Sequence, residues 1–129
     1  MKLLYAEDEK SMSEAVTDIL TYHKYNVDAV YNGKDALEYA RVEHYDGIIL
    51  DIMMPGMDGI ETLEELQRMP DNMSKNAAVI VLTANAMAGV REMYLEKGFD
   101  DYLSKPIEGA TLEQLLMKYL PSECVMETR

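Results

Sequence analysis

The sequence predicts an α/β protein, a single parallel sheet with helices covering both of its faces. Short apolar runs alternate with amphipathic helical patterns five times along the chain, which is the rhythm of βα units. The runs are also continuously apolar, as in Gly47-Ile48-Ile49-Leu50, and strands of that kind need cover on both sides. Finally, 129 residues make one ordinary domain with room for one sizeable core. Crossovers of helical length between such strands run right-handed.

Each element has its own justification. The first strand is expected near 2–6, followed by a helix near 10–23 with Ala15, Val16, Ile19 and Leu20 on one stripe. Val27 to Val30 makes a weak second strand, and Asn32-Gly33 opens a helix carrying Ala36, Leu37 and Ala40. Gly47 to Leu50 belongs in the sheet centre. Asp58 reads as an N-cap, with Glu61 completing a capping box, for a helix that ends before Pro70. A polar loop over 71–76 leads to a fourth strand at Ala78 to Leu82, then a helix over 86–97 stopped by Gly98. Asp101 to Ser104 is a short fifth strand. Thr111-Leu112-Glu113-Gln114 reads as the cap of a last helix whose stripe is Leu112, Leu115, Leu116 and Tyr119. Residues 1–120 form the domain and 121–129 a frayed tail.

Composition narrows the function. A net charge of −12 argues against a nucleic-acid surface, which needs clustered Lys and Arg. No apolar stretch approaches the ~18 residues that span a bilayer, and Lys2 is followed by too short an apolar run for a signal peptide. The lone Cys124 has no internal disulfide partner, so a reducing cytoplasm is the expected compartment. The eleven methionines fall mostly at apolar helical positions and read as core filler rather than metal ligands.

Four apolar runs deliver residues able to do chemistry. Leu3-Leu4-Tyr5-Ala6 leads to Glu7-Asp8-Glu9, Gly47-Ile48-Ile49-Leu50 to Asp51, Ala78 to Leu82 to Thr83, and Tyr102-Leu103-Ser104 to Lys105. In an open parallel sheet the carboxyl ends of the strands line one edge, where ligands bind. Glu9 is read as an exposed loop residue; Glu7, Asp8 and Asp51 would then stand together. Two unit charges at ~4 Å repel by about 4 kcal/mol at an effective dielectric of ~20. Two resolutions are open: a hard divalent cation held by carboxylates, a carbonyl and waters, or a raised carboxyl pKa. Mg²⁺ suits phosphoryl chemistry. An ammonium at Lys105, held extended by Pro106, would pair with Asp51 at rest and with a phosphoryl oxygen afterwards. Thr83 would hydrogen-bond another phosphoryl oxygen. The pattern points to phosphoryl transfer onto Asp51.

Tyr5-Ala6-Glu7-Asp8-Glu9, the run from Leu50 to Gly59, Leu82-Thr83-Ala84-Asn85 and the run from Asp101 to Pro106 resemble, in order and spacing, the four motifs of bacterial two-component response-regulator receiver domains of the CheY-like superfamily. The resemblance covers about residues 2–120. It implies a flavodoxin-like (βα)5 doubly wound fold with strand order 2-1-3-4-5 and three α/β/α layers. It implies Asp51 as phosphoacceptor, with Asp8, Asp51 and the Met53 backbone carbonyl as Mg²⁺ ligands and Glu7 acting through water; Mn²⁺ would substitute for Mg²⁺. Thr83 and Lys105 match the phosphoryl contacts, and Tyr102 the switch aromatic that turns inward when Thr83 moves. Met53 and Asn85 match positions that tune hydrolysis. The implied partner is a histidine kinase or histidine phosphotransfer domain, with an output element at the fourth helix, fifth strand and fifth helix. Such a domain is a signalling phosphoacceptor rather than an enzyme, with self-phosphorylation from small donors and slow autodephosphorylation. Neither direct nucleic-acid binding nor a membrane is implied.

Competing readings meet specific residues. An aspartate-nucleophile phosphatase of haloacid-dehalogenase type needs a second Asp two residues after the first, where Met53 stands. A flavin-binding flavodoxin needs a Ser/Thr/Gly-rich phosphate loop where Glu7-Asp8-Glu9 would repel phosphate, and Ile52-Met53-Met54 breaks an EF-hand pattern. A pseudo-receiver that serves only as a protein-interaction module typically lacks one site residue, and here all are present. No DNA-binding or enzymatic pattern follows Leu120, which leaves a stand-alone receiver, one excised from a hybrid histidine kinase and the front of a longer regulator all open, with a recombined or engineered chain as a remoter alternative.

Overall fold

The apolar runs form five parallel strands in the order β2-β1-β3-β4-β5, each followed by a helix. The computed structural model describes residues 2–54, 56–69, 74, 77–84, 90–105 and 107–119. The expected start of the fourth helix at 86–89, most of the 71–76 loop, Asn85, Pro106 and the 121–129 tail with Cys124 lie outside them. The elements are β1 (Lys2–Ala6), α1 (Lys10–Tyr22), β2 (Asn26–Val30), α2 (Gly33–Val42), β3 (Gly47–Asp51), α3 (Gly59–Arg68), β4 (Ala78–Thr83), α4 (Val90–Lys97), β5 (Asp101–Ser104) and α5 (Gly109–Tyr119). This is the flavodoxin-like order expected of the chain. Among the described residues, no helix is long and apolar enough to cross a membrane.

Alternation along the strands divides the interior into two layers. Leu3, Tyr5, Ile49, Ile80, Leu82 and Leu103 meet Val16, Leu20, Leu112 and Leu116 on the α1–α5 face. Leu4, Ala6, Ile48, Leu50, Val79 and Val81 meet Ala36, Ala40, Leu63, Leu66 and Tyr94 on the α2–α4 face. β3 is buried along its whole length, as its uninterrupted apolar run requires. Each fully buried Leu or Ile contributes roughly 1.5–3 kcal/mol relative to exposure.

The helix ends are fixed by local chemistry. Asn32 caps α2 by accepting the Asp35 N–H at 2.7 Å. The Asp58–Glu61 capping box is complete: Asp58 accepts the Glu61 N–H at 2.9 Å and Glu61 the Asp58 N–H at 3.2 Å. Gly98 closes α4 at φ 112, a left-handed conformation, and its N–H bonds the Leu95 carbonyl at 3.1 Å.

Two details differ from expectation. Ala15 is exposed; Ser13 takes the buried place beside Val16 and Leu20, because the inward stripe runs 13-16-20 and a small side chain suits its upper turn. The last helix starts at Gly109 rather than being capped at Thr111, since the Leu112 N–H already bonds the Glu108 carbonyl at 3.0 Å.

Candidate functional site

Ladder bonds that run one residue past the strands set the site at the carboxyl edge. The Glu7 N–H bonds the Val30 carbonyl at 3.1 Å, the Ile52 N–H the Leu82 carbonyl at 2.8 Å, and the Lys105 N–H the Thr83 carbonyl at 2.8 Å. Asp51 and Thr83 are themselves the last residues of β3 and β4, one beyond the expected ends. Their backbones are therefore held by the sheet rather than by loops. The N-terminus of α3 presses on the same place. A Cβ at Gly59 would stand 2.7 Å from the Asp51 carbonyl oxygen and 3.1 Å from the Ile52 Cα, so only glycine fits there.

Strand parity then sorts the side chains. Glu7, Asp51 and Lys105 continue the alternation of Tyr5, Ile49 and Leu103, on the α1–α5 side. Glu7 and Asp51 are buried, at 1% and 2% exposure. The Lys105 ammonium lies between them, 3.1 Å from Glu7 Oε1 and 3.3 Å from Asp51 Oδ1. Asp51 Oδ1 also accepts the Met53 N–H at 3.3 Å. Glu7 is further held by the Tyr5 hydroxyl, which donates to Oε1 at 3.3 Å, and by the Glu9 N–H, which donates to Oε2 at 3.4 Å. Asp8 and Glu9 are exposed.

The electrostatics follow from this crowding. Burial pushes the Glu7 carboxyl up to about 7; hydrogen bonding to Asp51 and the Asp51 charge add to the rise, and Lys105 offsets part of it. Burial works against the Lys105 charge, but the hydrogen bond to Glu7 and the Asp51 charge outweigh it and hold the amine above its ordinary value. Burial, followed by the Glu7 charge, pushes the Tyr5 phenol far up, so it serves as a donor throughout the physiological range. Both resolutions of the charge conflict are thus built into the side chains. Lys105 and a proton on Glu7 relieve it from within. Glu7, Asp8 and Asp51 also offer carboxylate oxygens within 4.8 Å of one another, a hard-oxygen set suited to a divalent cation. One of the three is exposed and the other two are buried.

Thr83 continues the opposite parity, with Val81, onto the α2–α4 side. It is buried at 2% exposure and accepts a hydrogen bond from the Tyr94 hydroxyl at 3.4 Å. The Tyr94 ring meets Phe99 edge-on at 6.0 Å between centroids and Tyr102 at 6.4 Å. Tyr102 is half-buried against this layer. The Met53 side chain is 74% exposed at the rim.

The structure therefore brings Glu7, Asp51 and Lys105 into direct contact, places Asp8 and Met53 at the rim, and sets Thr83 and Tyr102 on the other side of the sheet edge. Sequence reasoning missed Tyr5 and Tyr94. Tyr5 had a signal, since positions i and i+2 of one strand share a face and Glu7 follows it at that interval. Tyr94 had none, because it stands eleven residues beyond Thr83 and meets it only through packing of α4 on the sheet.

Comparison with known proteins gives the family and the fold. The family model described as the response regulator receiver domain matches residues 3–117. The chain is 36% identical over 121 residues to the signal transduction histidine-protein kinase BarA of Escherichia coli (strain K12), covering 94% of this chain and 13% of that protein. It is 37% identical over 112 residues to the transcriptional regulatory protein DltR of Streptococcus agalactiae serotype III (strain NEM316), covering 87% of this chain and 48% of that protein. The chain thus spans less than half the length of either relative. Among solved structures, the receiver domain of sensor histidine kinase PA1611 from Pseudomonas aeruginosa PAO1, with a magnesium ion coordinated in its active-site cleft, is 31% identical at a TM-score of 0.79, covering 92% of this chain and 95% of that one. The chemotaxis protein CheY4 of Vibrio cholerae is 27% identical at a TM-score of 0.83, covering 92% and 98%.

Proposed function

The chain belongs to the response-regulator receiver family, and we propose that it accepts a phosphoryl group on Asp51 from a phosphohistidine of a histidine kinase or histidine phosphotransfer domain in the cytoplasm. One observation carries this reading: Asp51 is a buried carboxylate held at the end of a central strand, with an ammonium 3.3 Å away and two further carboxylates beside it. A carboxylate oxygen of Asp51 attacks phosphorus in line. The O–P bond forms as the P–N bond breaks, and the imidazole nitrogen keeps that electron pair. Lys105 sits where it can move from Asp51 Oδ1 to a phosphoryl oxygen, so its charge is already in position when negative charge accumulates. The Met53 N–H keeps Asp51 oriented. The Thr83 hydroxyl supplies a second contact to the phosphoryl group.

Glu7, Asp8, Asp51 and the Met53 carbonyl would hold Mg²⁺, or Mn²⁺ in its place. The bound ion would neutralise charge on the carboxylates and the transferring oxygens. Glu7, tied to Tyr5 and Lys105, acts by keeping the amine within reach of Asp51. The acyl phosphate biases the Thr83–Tyr102 side of the edge and with it a partner surface at α4, β5 and α5. The domain acts once per phosphoryl group and is a signalling acceptor rather than an enzyme, apart from self-phosphorylation by small donors and slow autodephosphorylation.

Incubation with Mg²⁺ and acetyl phosphate is expected to add one phosphoryl group, read by intact-mass spectrometry. Asp51→Ala and chelation are each expected to abolish the adduct. Persistent labelling of the Asp51→Ala protein would overturn the assignment.

A further inference from the structure

Tyr94 has a place in the site that the phosphoacceptor reading does not use. Thr83 leaves β4 on the α2–α4 side of the sheet, whereas Asp51 and Lys105 leave β3 and β5 on the α1–α5 side. A contact between the Thr83 hydroxyl and a phosphoryl group on Asp51 therefore requires Thr83 to turn over the sheet edge, away from α4. In the structure the Tyr94 hydroxyl, on α4, donates to Thr83 Oγ1 at 3.4 Å. Tyr94 is 5% exposed, and its ring is fixed by Phe99 at 6.0 Å and Tyr102 at 6.4 Å. A ring so confined cannot follow Thr83 without disturbing Tyr102.

We infer, resting on the phosphoacceptor reading of Asp51, that Tyr94 is a positioning residue whose hydroxyl latches Thr83 in the resting arrangement and ties its release to the Tyr94–Tyr102 contact. Phosphorylation then has to break the Tyr94 hydrogen bond to Thr83. A group that stabilises only the resting arrangement lowers the apparent affinity for anything that selects the other one. Removing that hydroxyl alone keeps the ring packing and takes away the Tyr94 hydrogen bond to Thr83.

The test is calorimetric titration with beryllofluoride, a phosphoryl mimic, at saturating Mg²⁺ on wild type, Tyr94→Phe, Thr83→Val and the double variant. Tyr94→Phe is expected to bind roughly 2- to 10-fold tighter than wild type, the span of one net hydrogen bond. With Thr83→Val in place, Tyr94→Phe is expected to change nothing, because the latched hydroxyl is gone. If the Phe variant does not fold, Tyr94→Met carries the same expectation. Equal or weaker binding by Tyr94→Phe, or the same tightening without the Thr83 hydroxyl, overturns the latch while leaving the acceptor reading intact. A residue with a purely structural role would lower the melting temperature and leave affinity unmoved, which also overturns it. Wild-type protein that takes up no beryllofluoride overturns the acceptor reading and the latch with it.

Discussion

The two halves of the sheet edge are built from different materials. On the α1–α5 side, Glu7, Asp51 and Lys105 form a charged knot, with two buried carboxylates sharing one ammonium at 3.1 and 3.3 Å. On the α2–α4 side, Thr83, Tyr94 and Tyr102 form a neutral chain of hydroxyl and ring contacts. Paired charges away from water are costly to separate, which on the phosphoacceptor reading suits holding reactants in place. Hydroxyl and ring contacts are individually weak, so they rearrange for a few kcal/mol, which suits reporting an event. The division follows from strand parity, because neighbouring residues along a strand end on opposite sides.

Three substitutions or conditions break or sharpen that contrast. The largest effect is expected from Lys105→Met, which leaves Glu7 and Asp51 facing each other without a cation from the protein. Chemical denaturation in EDTA at pH 8 should show about 3 kcal/mol less stability than wild type, the scale of a buried pair losing one partner. Mg²⁺ should restore more stability to this variant than it adds to wild type. A loss on the order of 0.5 kcal/mol would mean the knot is solvated.

Next is the pH response. The folded Glu7 carboxyl is pushed up to about 7 from an ordinary value of 4.5, so the native protein binds that proton more tightly than the unfolded chain does. Its stabilising contribution is complete below the unfolded value and lost as pH rises through about 7, up to about 3 kcal/mol in EDTA. Other carboxyls add their own slope, so the diagnostic is a difference. Glu7→Gln should flatten the decline between pH 5 and 8 relative to wild type, and a parallel decline would remove Glu7 from the account. Divalent-cation affinity of wild type should rise over the same interval, as the ion competes with the proton.

The smallest effect belongs to Asp58→Ala, outside both halves. It removes the capping box of α3 and should cost about 1 kcal/mol in denaturation midpoints. Phosphorylation by acetyl phosphate should remain intact, because the cap touches neither the knot nor the hydroxyl chain.

Most of the architecture was legible because it depends on near-neighbour patterns. The apolar run at Gly47–Leu50 had only one stable place, in the centre of the sheet, and the Asp58–Glu61 cap was written at its working spacing. Ala15 misled because an apolar side chain of that size is tolerated on an exposed face, whereas Ser13, small and polar, gave no sign of burial. At the site, the identities of Glu7, Asp51, Thr83 and Lys105 were visible as polar residues ending apolar runs. Their partition into a charged side and a hydroxyl side needed the exact strand ends, which shift parity with every residue. Tyr94 was invisible for a further reason: its meeting with Thr83 depends on how α4 lies against the sheet, a tertiary choice that no local spacing records.

Gly59 has a consequence for redesign. Its hydrogen at the Cα sits where any larger group would strike the Asp51 carbonyl, so the segment leaving β3 is moored at one end by the sheet and at the other by the capped start of α3. Between these moorings, Met53 is largely exposed. Side chains there can be replaced without moving the two ends of the segment, while the number of residues between the moorings stays fixed.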